Sequence, residues 1–144
     1  MRVYFCRSRT IPSWVVRALT WSDFSHTALG TERGTVIEAV WPKVREIPLP
    51  QFLADNGTVE VLEVPCRCPS AAILWARQQV GLGYDLTALF GWLLHRDWSD
   101  PCRWFCSEFV AEAFEEGGSP LFRADAVHRI TPQDLWMLPF PEAS

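Results

Sequence analysis

Three side chains of this sequence, Cys106, His26 and Glu38, are of the types that together attack a carbonyl carbon through a thiolate. A cysteine acts as a nucleophile only once it loses its proton, so it needs a depressed pKa or a base beside it. Histidine supplies that base near neutral pH, and a carboxylate on its far nitrogen fixes the tautomer that can accept the thiol proton. Residues 105–116 read as an amphipathic helix in which Cys106, Phe109, Val110, Ala113 and Phe114 share one face and Glu108, Glu112, Glu115 and Glu116 the other. A helix that starts near Phe105 places the unpaired N–H groups of its first turn at Cys106, where they favour a thiolate. Asp100-Pro101 offers a competing cap and first position, and a helix begun there puts Cys106 in its second turn. Taken alone, a cysteine on an apolar helical face is more often a small core hydrophobe than a nucleophile.

The histidine and the glutamate are placed by a hairpin. Residues 24–29 and 35–41 read as two strands around the glycine-bounded segment Gly30-Thr-Glu-Arg-Gly34. A loop symmetric about Glu32 sets Gly30 opposite Gly34, Ala28 opposite Val36 and His26 opposite Glu38. Direct cross-strand neighbours share a face with Cβ atoms roughly 5 Å apart, so the carboxylate can hold one ring nitrogen and leave the other for a thiol. Glu38 lies between Ile37 and Ala39, and a carboxylate in an apolar strand needs a partner. As an exposed surface pair, the same two residues would contribute little.

The other elements frame this group. Residues 2–7 form a weakly alternating, β-rich run, and residues 11–21 have helical spacing. Residues 44–47 continue the β-rich region until Pro48-Leu-Pro50 breaks it before a helical turn at 51–54. Residues 58–64 read as a strand, and a helix runs from Pro69 to a stop at Gly81 or Gly83. Residues 86–94 are apolar all round and read as a buried helix, and Thr131-Pro132 reads as the cap and first position of a last helical turn.

The 144 residues, 49% of them hydrophobic, suffice for one core, so residues 1–144 are read as one domain. A net charge of −4 with scattered basic residues excludes the dense positive stripe that nucleic-acid binding requires. The longest strongly apolar stretch, 86–94, falls far short of the ~20 residues of a membrane span, and no transmembrane segment is expected. Charges interrupt the first residues and no secretory signal is evident, which points to the cytoplasm; a phage particle or a specialised secretion system is an alternative route to a cell wall. Five cysteines do not pair off into a disulfide framework. Cys66-Arg-Cys68 lacks the spacing of a zinc knuckle, so neither metal nor cofactor is expected. Cys102 reads as a loop or helix-edge residue, and His95 and His128, each beside an arginine, as surface residues.

Ser25-His26-Thr27 on a strand, Glu38 beyond it, Tyr84-Asp85, and Trp104-Phe105-Cys106-Ser107-Glu108-Phe109-Val110 resemble the circularly permuted branch of the NlpC-type papain-like cysteine enzymes. That branch includes YiiX-like proteins and lecithin-retinol acyltransferase relatives, and in it the histidine strand precedes the cysteine helix. Ile130-Thr-Pro-Gln-Asp-Leu135 is similar to the family's closing segment. Elements and resemblance together imply an α+β fold, an antiparallel sheet of about four to six strands packed against the helix that carries Cys106. The resemblance implies a thioester mechanism with Cys106 as nucleophile, His26 as base and Glu38 orienting it. It adds the backbone N–H of Cys106 as an oxyanion donor, and Tyr84 is expected to line the substrate site. The expected substrate is a peptide, a peptidoglycan stem or an acyl compound, cut at an amide, peptide or ester bond. Acyl transfer or thioester hydrolysis on a lipid-like substrate is the alternative within the enzyme class. A binding module that keeps the fold, with an unreactive Cys106, is the alternative outside it.

Overall fold

Val3, Tyr4, Phe5 and Cys6 are all buried, although they point alternately to opposite sides of one strand. A strand buried on both faces must belong to a sheet covered on both faces, and the computed structural model shows how the covering is done. It describes residues 1–7, 22–84, 103–123, 125–127 and 130–141. Along the chain these form β1 (Arg2–Arg7), β2 (His26–Gly30), β3 (Thr35–Val40), β4 (Lys43–Pro48), α1 (Leu49–Asp55) and β5 (Thr58–Glu63). There follow α2 (Pro69–Gln78), β6 (Gly83–Tyr84), β7 (Arg103–Trp104), α3 (Cys106–Glu116) and α4 (Pro132–Trp136).

The strands make one sheet in the order β5-β1-β2-β3-β4-β6-β7. Its five long strands are antiparallel throughout, as expected for the α+β fold. Two two-residue strands extend it, and their mutual pairing is parallel, which the sequence did not announce because two residues carry no period-two pattern. On one face Val3, Phe5, Leu29, Ile37, Ala39 and Val44 pack against Phe109, Val110, Ala113 and Phe114 of α3. On the other, Tyr4, Cys6, Ala28, Val36 and Ile47 close around Phe52 of α1.

The β2–β3 turn departs from the expected symmetry. Thr31 N–H donates to the Thr35 carbonyl at 2.9 Å, Gly34 N–H to the Thr31 carbonyl at 3.4 Å, and Gly34 has φ +72°. The loop is therefore Glu32-Arg33-Gly34, a three-residue connection closed by a left-handed glycine. Gly34 is consumed by the turn rather than paired with Gly30, so Gly30 lies opposite Val36 and Leu29 opposite Ile37. The strands are slipped by two residues from the register expected of them.

Both helix ends on which the site depends form as their sequences direct. Helix α3 begins at Cys106, with Phe105 extended before it, so the first turn belongs to the cysteine. Thr131 caps α4 in a reciprocal box with Asp134, and Pro132 takes its first position. The helices expected over 11–21 and 86–94, and Asp85, His95, Asp100, Pro101, Cys102 and His128, lie outside the described residues. Among the described residues no helix is long and apolar enough to cross a membrane.

Candidate active site

His26 opens β2 and Glu38 lies in the middle of β3, and the observed register makes them diagonal rather than direct neighbours. The pair forms all the same, with His26 Nε2 and Glu38 Oε2 2.6 Å apart. A slip of two residues leaves every side chain on its original face, and a histidine and a glutamate are long enough to span the diagonal. Glu38 is only 1% exposed, so this is not a surface pair.

The other carboxylate oxygen is held by a residue the sequence reading passed over. Arg45 stands directly across from Glu38 in the β3–β4 ladder, and its Nε and one terminal nitrogen each lie 2.7 Å from Oε1. The signal was present: folding 35–41 back onto 44–47 about Trp41-Pro42 brings residues 38 and 45 together. Beyond Arg45, at 3.8 Å, lies the carboxylate of Asp55.

Cys106 is fully buried at the first position of α3 and is a hydrogen-bond partner of the His26 ring. Since Nε2 is committed to Glu38, Nδ1 is the nitrogen left for the sulfur. Burial works against a charged imidazole, but the hydrogen bonds to Cys106 and Glu38 and their negative charges outweigh it and raise the His26 pKa to about 10. Burial likewise pushes Glu38 up, and His26 and then Arg45 bring it below the ordinary carboxylate range. The arrangement favours an imidazolium held against the Glu38 carboxylate.

A second buried thiol was also missed. Cys6 is paired with His26 across β1 and β2, and no local pattern announces a contact between strands so far apart along the chain. Burial, followed by the charges of Glu38 and Cys106, pushes the Cys6 thiol up, so it stays protonated beside the group. Glu108, expected on the solvent side of α3, is buried because this helix is covered on more than one side, whereas Glu115 and Glu116 are exposed as expected. Next to the cysteine, Ser107 Oγ donates to the Ile130 carbonyl and ties the first turn of α3 to the segment leading into α4. The main chain of Tyr84 pairs with Trp104, two residues before Cys106; its side chain lies outside the described residues. Cys66 and Cys68 are free thiols.

The model of the permuted papain-like amidase enzymes, the YaeF/YiiX or C92 family, matches residues 3–136. The chain belongs to this family. The resemblance to the permuted, YiiX-like papain-like enzymes therefore holds across nearly the whole chain, and the family is one of papain-like amidases. A curated relative, the "Probable lipoprotein peptidase YaeF" of Escherichia coli K12, is 25% identical over 165 aligned residues. The alignment covers 91% of this chain but only 60% of that relative, so the chain spans about three fifths of its length. The crystal structure of metalloprotein YiiX from Escherichia coli O157:H7 superposes with a TM-score of 0.75 at 20% identity, covering 99% of this chain and 94% of the other. That likeness shows a shared fold.

Proposed function

We propose that the protein is a cysteine amidase or peptidase in which Cys106 is the nucleophile, His26 the acid–base and Glu38 the group that orients His26. The observation that carries this reading is the continuous link from the Cys106 thiol through His26 to the buried Glu38, with the thiol at a helix N-terminus. The Cys106 sulfur attacks the carbonyl carbon, and the carbonyl π electrons move to oxygen. The N–H of Cys106 has no acceptor within its own helix and supplies a donor to that oxyanion. As the intermediate collapses, the C–N bond breaks and His26 Nδ1 gives its proton to the departing amine. Neutral His26 then takes a proton from water, whose oxygen attacks the thioester; the C–S bond breaks and the thiolate–imidazolium pair is restored.

A peptide is the substrate class that the family and the name of the YaeF relative support, and a cell-wall peptide fits the same chemistry. The YiiX relative is titled a metalloprotein. Here both oxygens of Glu38 are taken by His26 and Arg45, and among the described residues no three His, Cys, Asp or Glu side chains gather as a metal ion requires. The described residues of the site do not fit a resident metal.

The test is iodoacetamide alkylation of each cysteine across pH, mapped by peptide mass spectrometry, in the wild type and in His26→Ala. Cys106 should label fastest near neutral pH although it is buried, and His26→Ala should slow it. Labelling of Cys106 slower than that of the exposed Cys68, and indifferent to His26, would leave a binding module of the same fold in place of an enzyme.

A further inference from the structure

We propose that Arg45 is a positioning residue of this site: by clamping Oε1 of Glu38 it keeps the carboxylate a pure acceptor and so dictates which nitrogen of His26 carries the proton. The inference rests on the reading of Cys106, His26 and Glu38 given above and adds the group that makes that reading work in both states of the histidine.

Glu38 is nine-tenths and more buried, and its two oxygens have separate duties: Oε2 meets His26 at 2.6 Å and Oε1 meets Arg45 at 2.7 Å. While His26 is an imidazolium, Glu38 has two counter-charges. When His26 gives its proton to the leaving amine, only Arg45 remains to offset a carboxylate out of water. Without Arg45 the neutral histidine would face a carboxyl group drawn to take up a proton. A protonated Glu38 donates to Nε2 instead of accepting from it, which moves the ring proton to Nδ1. Nδ1 is the nitrogen that must accept a proton from water or thiol, so that tautomer is inactive. Arg45 excludes it by keeping Glu38 ionised throughout.

Among the described residues, the charged and titratable groups around Glu38 are His26 from β2, Arg45 from β4 with Asp55 of α1 behind it, Cys6 from β1 and Cys106 from α3. Among these only Arg45 carries a permanent positive charge. Its outer side meets Asp55 of α1 at 3.8 Å and its side chain is 40% exposed, so it enters the site from the surface. The Asp55 contact is long and exposed, and leaves Glu38 as the partner that sets the Arg45 position.

The experiment is the pH profile of Cys106 alkylation in Arg45→Met, Arg45→Lys, Glu38→Gln and the Glu38→Gln/Arg45→Met double variant, each checked for folding by urea titration. Arg45→Met should slow alkylation about 10-fold near neutral pH, as loss of a residue that orients a working histidine does, and move the acidic limb to higher pH. Arg45→Lys should recover most of the loss. In the Glu38→Gln background, Arg45→Met should change nothing further, because its effect passes through the carboxylate. A wild-type limb in Arg45→Met, or an equal loss in both backgrounds, overturns the proposal. If Arg45→Met does not fold, Arg45→Lys decides: an ammonium that keeps the charge but has one nitrogen in place of the two should leave the limb between wild type and Glu38→Gln, and a limb identical to Glu38→Gln overturns the role of the charge. Nitrogen chemical shifts of His26 give a second readout, with Nδ1 unprotonated in neutral wild type and protonated in Arg45→Met. Should His26→Ala fail to slow labelling, the dyad itself falls; a loss in His26→Ala with none in Arg45→Met removes Arg45 alone.

Discussion

Two glutamate–arginine pairs sit on the same β3–β4 ladder and point to opposite faces of the sheet. Glu38 is bound by Arg45 on the face covered by α1; Glu46, the residue after Arg45, is bound by Arg77 of α2 on the face covered by the helices. Arg77 grips Glu46 with a two-pronged fork at 2.9 and 3.0 Å, and Thr35 donates a third bond. Arg77, helped by Thr35 and opposed by burial, holds Glu46 below the ordinary carboxylate range, and Glu38 is held low as well. What separates them is burial and the third partner. The Glu46 side chain is 25% exposed and its extra partner is a hydroxyl that never changes charge; Glu38 is 1% exposed and its extra partner is an imidazole that does. An ion pair becomes part of a reactive site when water is excluded from it and a titrating group is attached to it.

The largest test of that distinction is on reactivity. Glu38→Gln should slow Cys106 alkylation and any amidase turnover by about 100-fold, the upper range for losing the partner that orients a working histidine. Glu46→Gln should leave both at the wild-type rate. Equal losses would mean that both pairs act only by holding the sheet together.

The next contrast is in stability. Arg45→Ala strips a buried carboxylate of its permanent counter-charge and should cost about 2 kcal/mol or more in urea denaturation. Arg77→Ala breaks a partly exposed, salt-screened pair and should cost under about 1 kcal/mol. Equal costs would show that Glu38 reaches solvent in the folded protein.

The two carboxylates and the histidine attached to one of them predict pH signatures of opposite sign. A carboxylate depressed on folding contributes stability that is complete above its unfolded pKa and is lost as pH falls through the folded value. Both glutamates therefore destabilise the protein in acid when protonated, and Glu46→Gln should flatten the acid side of the stability profile only slightly. His26 is raised on folding to about 10, so its contribution is complete below the ordinary imidazole pKa and is lost as pH climbs towards 10. His26→Gln should remove that alkaline loss; an unchanged alkaline slope would show that His26 is neutral in the folded protein.

The comparison also marks what could be read from sequence. The face shared by His26 and Glu38 was legible because side chains alternate with period two, and parity survived an error of two residues in register. The error arose because Gly34 carries two incompatible readings, ladder residue and left-handed turn residue, and only the closed loop chooses between them. Helix α3 was legible from its apolar stripe, although where its first turn began was not, since Asp100-Pro101 competed. Arg45 is legible in principle, because a turn at Trp41-Pro42 folds 44–47 back on 35–41 and sets residue 45 opposite residue 38. Cys6 was out of reach, because the β1–β2 pairing is set by the whole sheet. Glu108 was misplaced because a single apolar stripe assumes that solvent covers the rest of the helix.

The smallest effect belongs to a buried polar atom that has neither kind of partner among the described residues. Thr27 follows His26, lies opposite Phe5 across β1 and β2, and buries its Oγ1 with no hydrogen-bond partner among the described residues. Where Glu38 and Glu46 recover the cost of leaving water through two or three strong contacts, this hydroxyl recovers none of it. Valine has nearly the same shape without the polar atom, so Thr27→Val should stabilise the protein by about 1 kcal/mol. The alkylation rate of Cys106 should stay at the wild-type value, because the Thr27 side chain points to the face opposite His26. A destabilised Thr27→Val with intact Cys106 reactivity would show that the hydroxyl bonds in solution to a group that enters this face of the sheet. A fall in Cys106 reactivity would instead make β2 itself, rather than the Glu38–Arg45 clamp alone, responsible for the aim of His26.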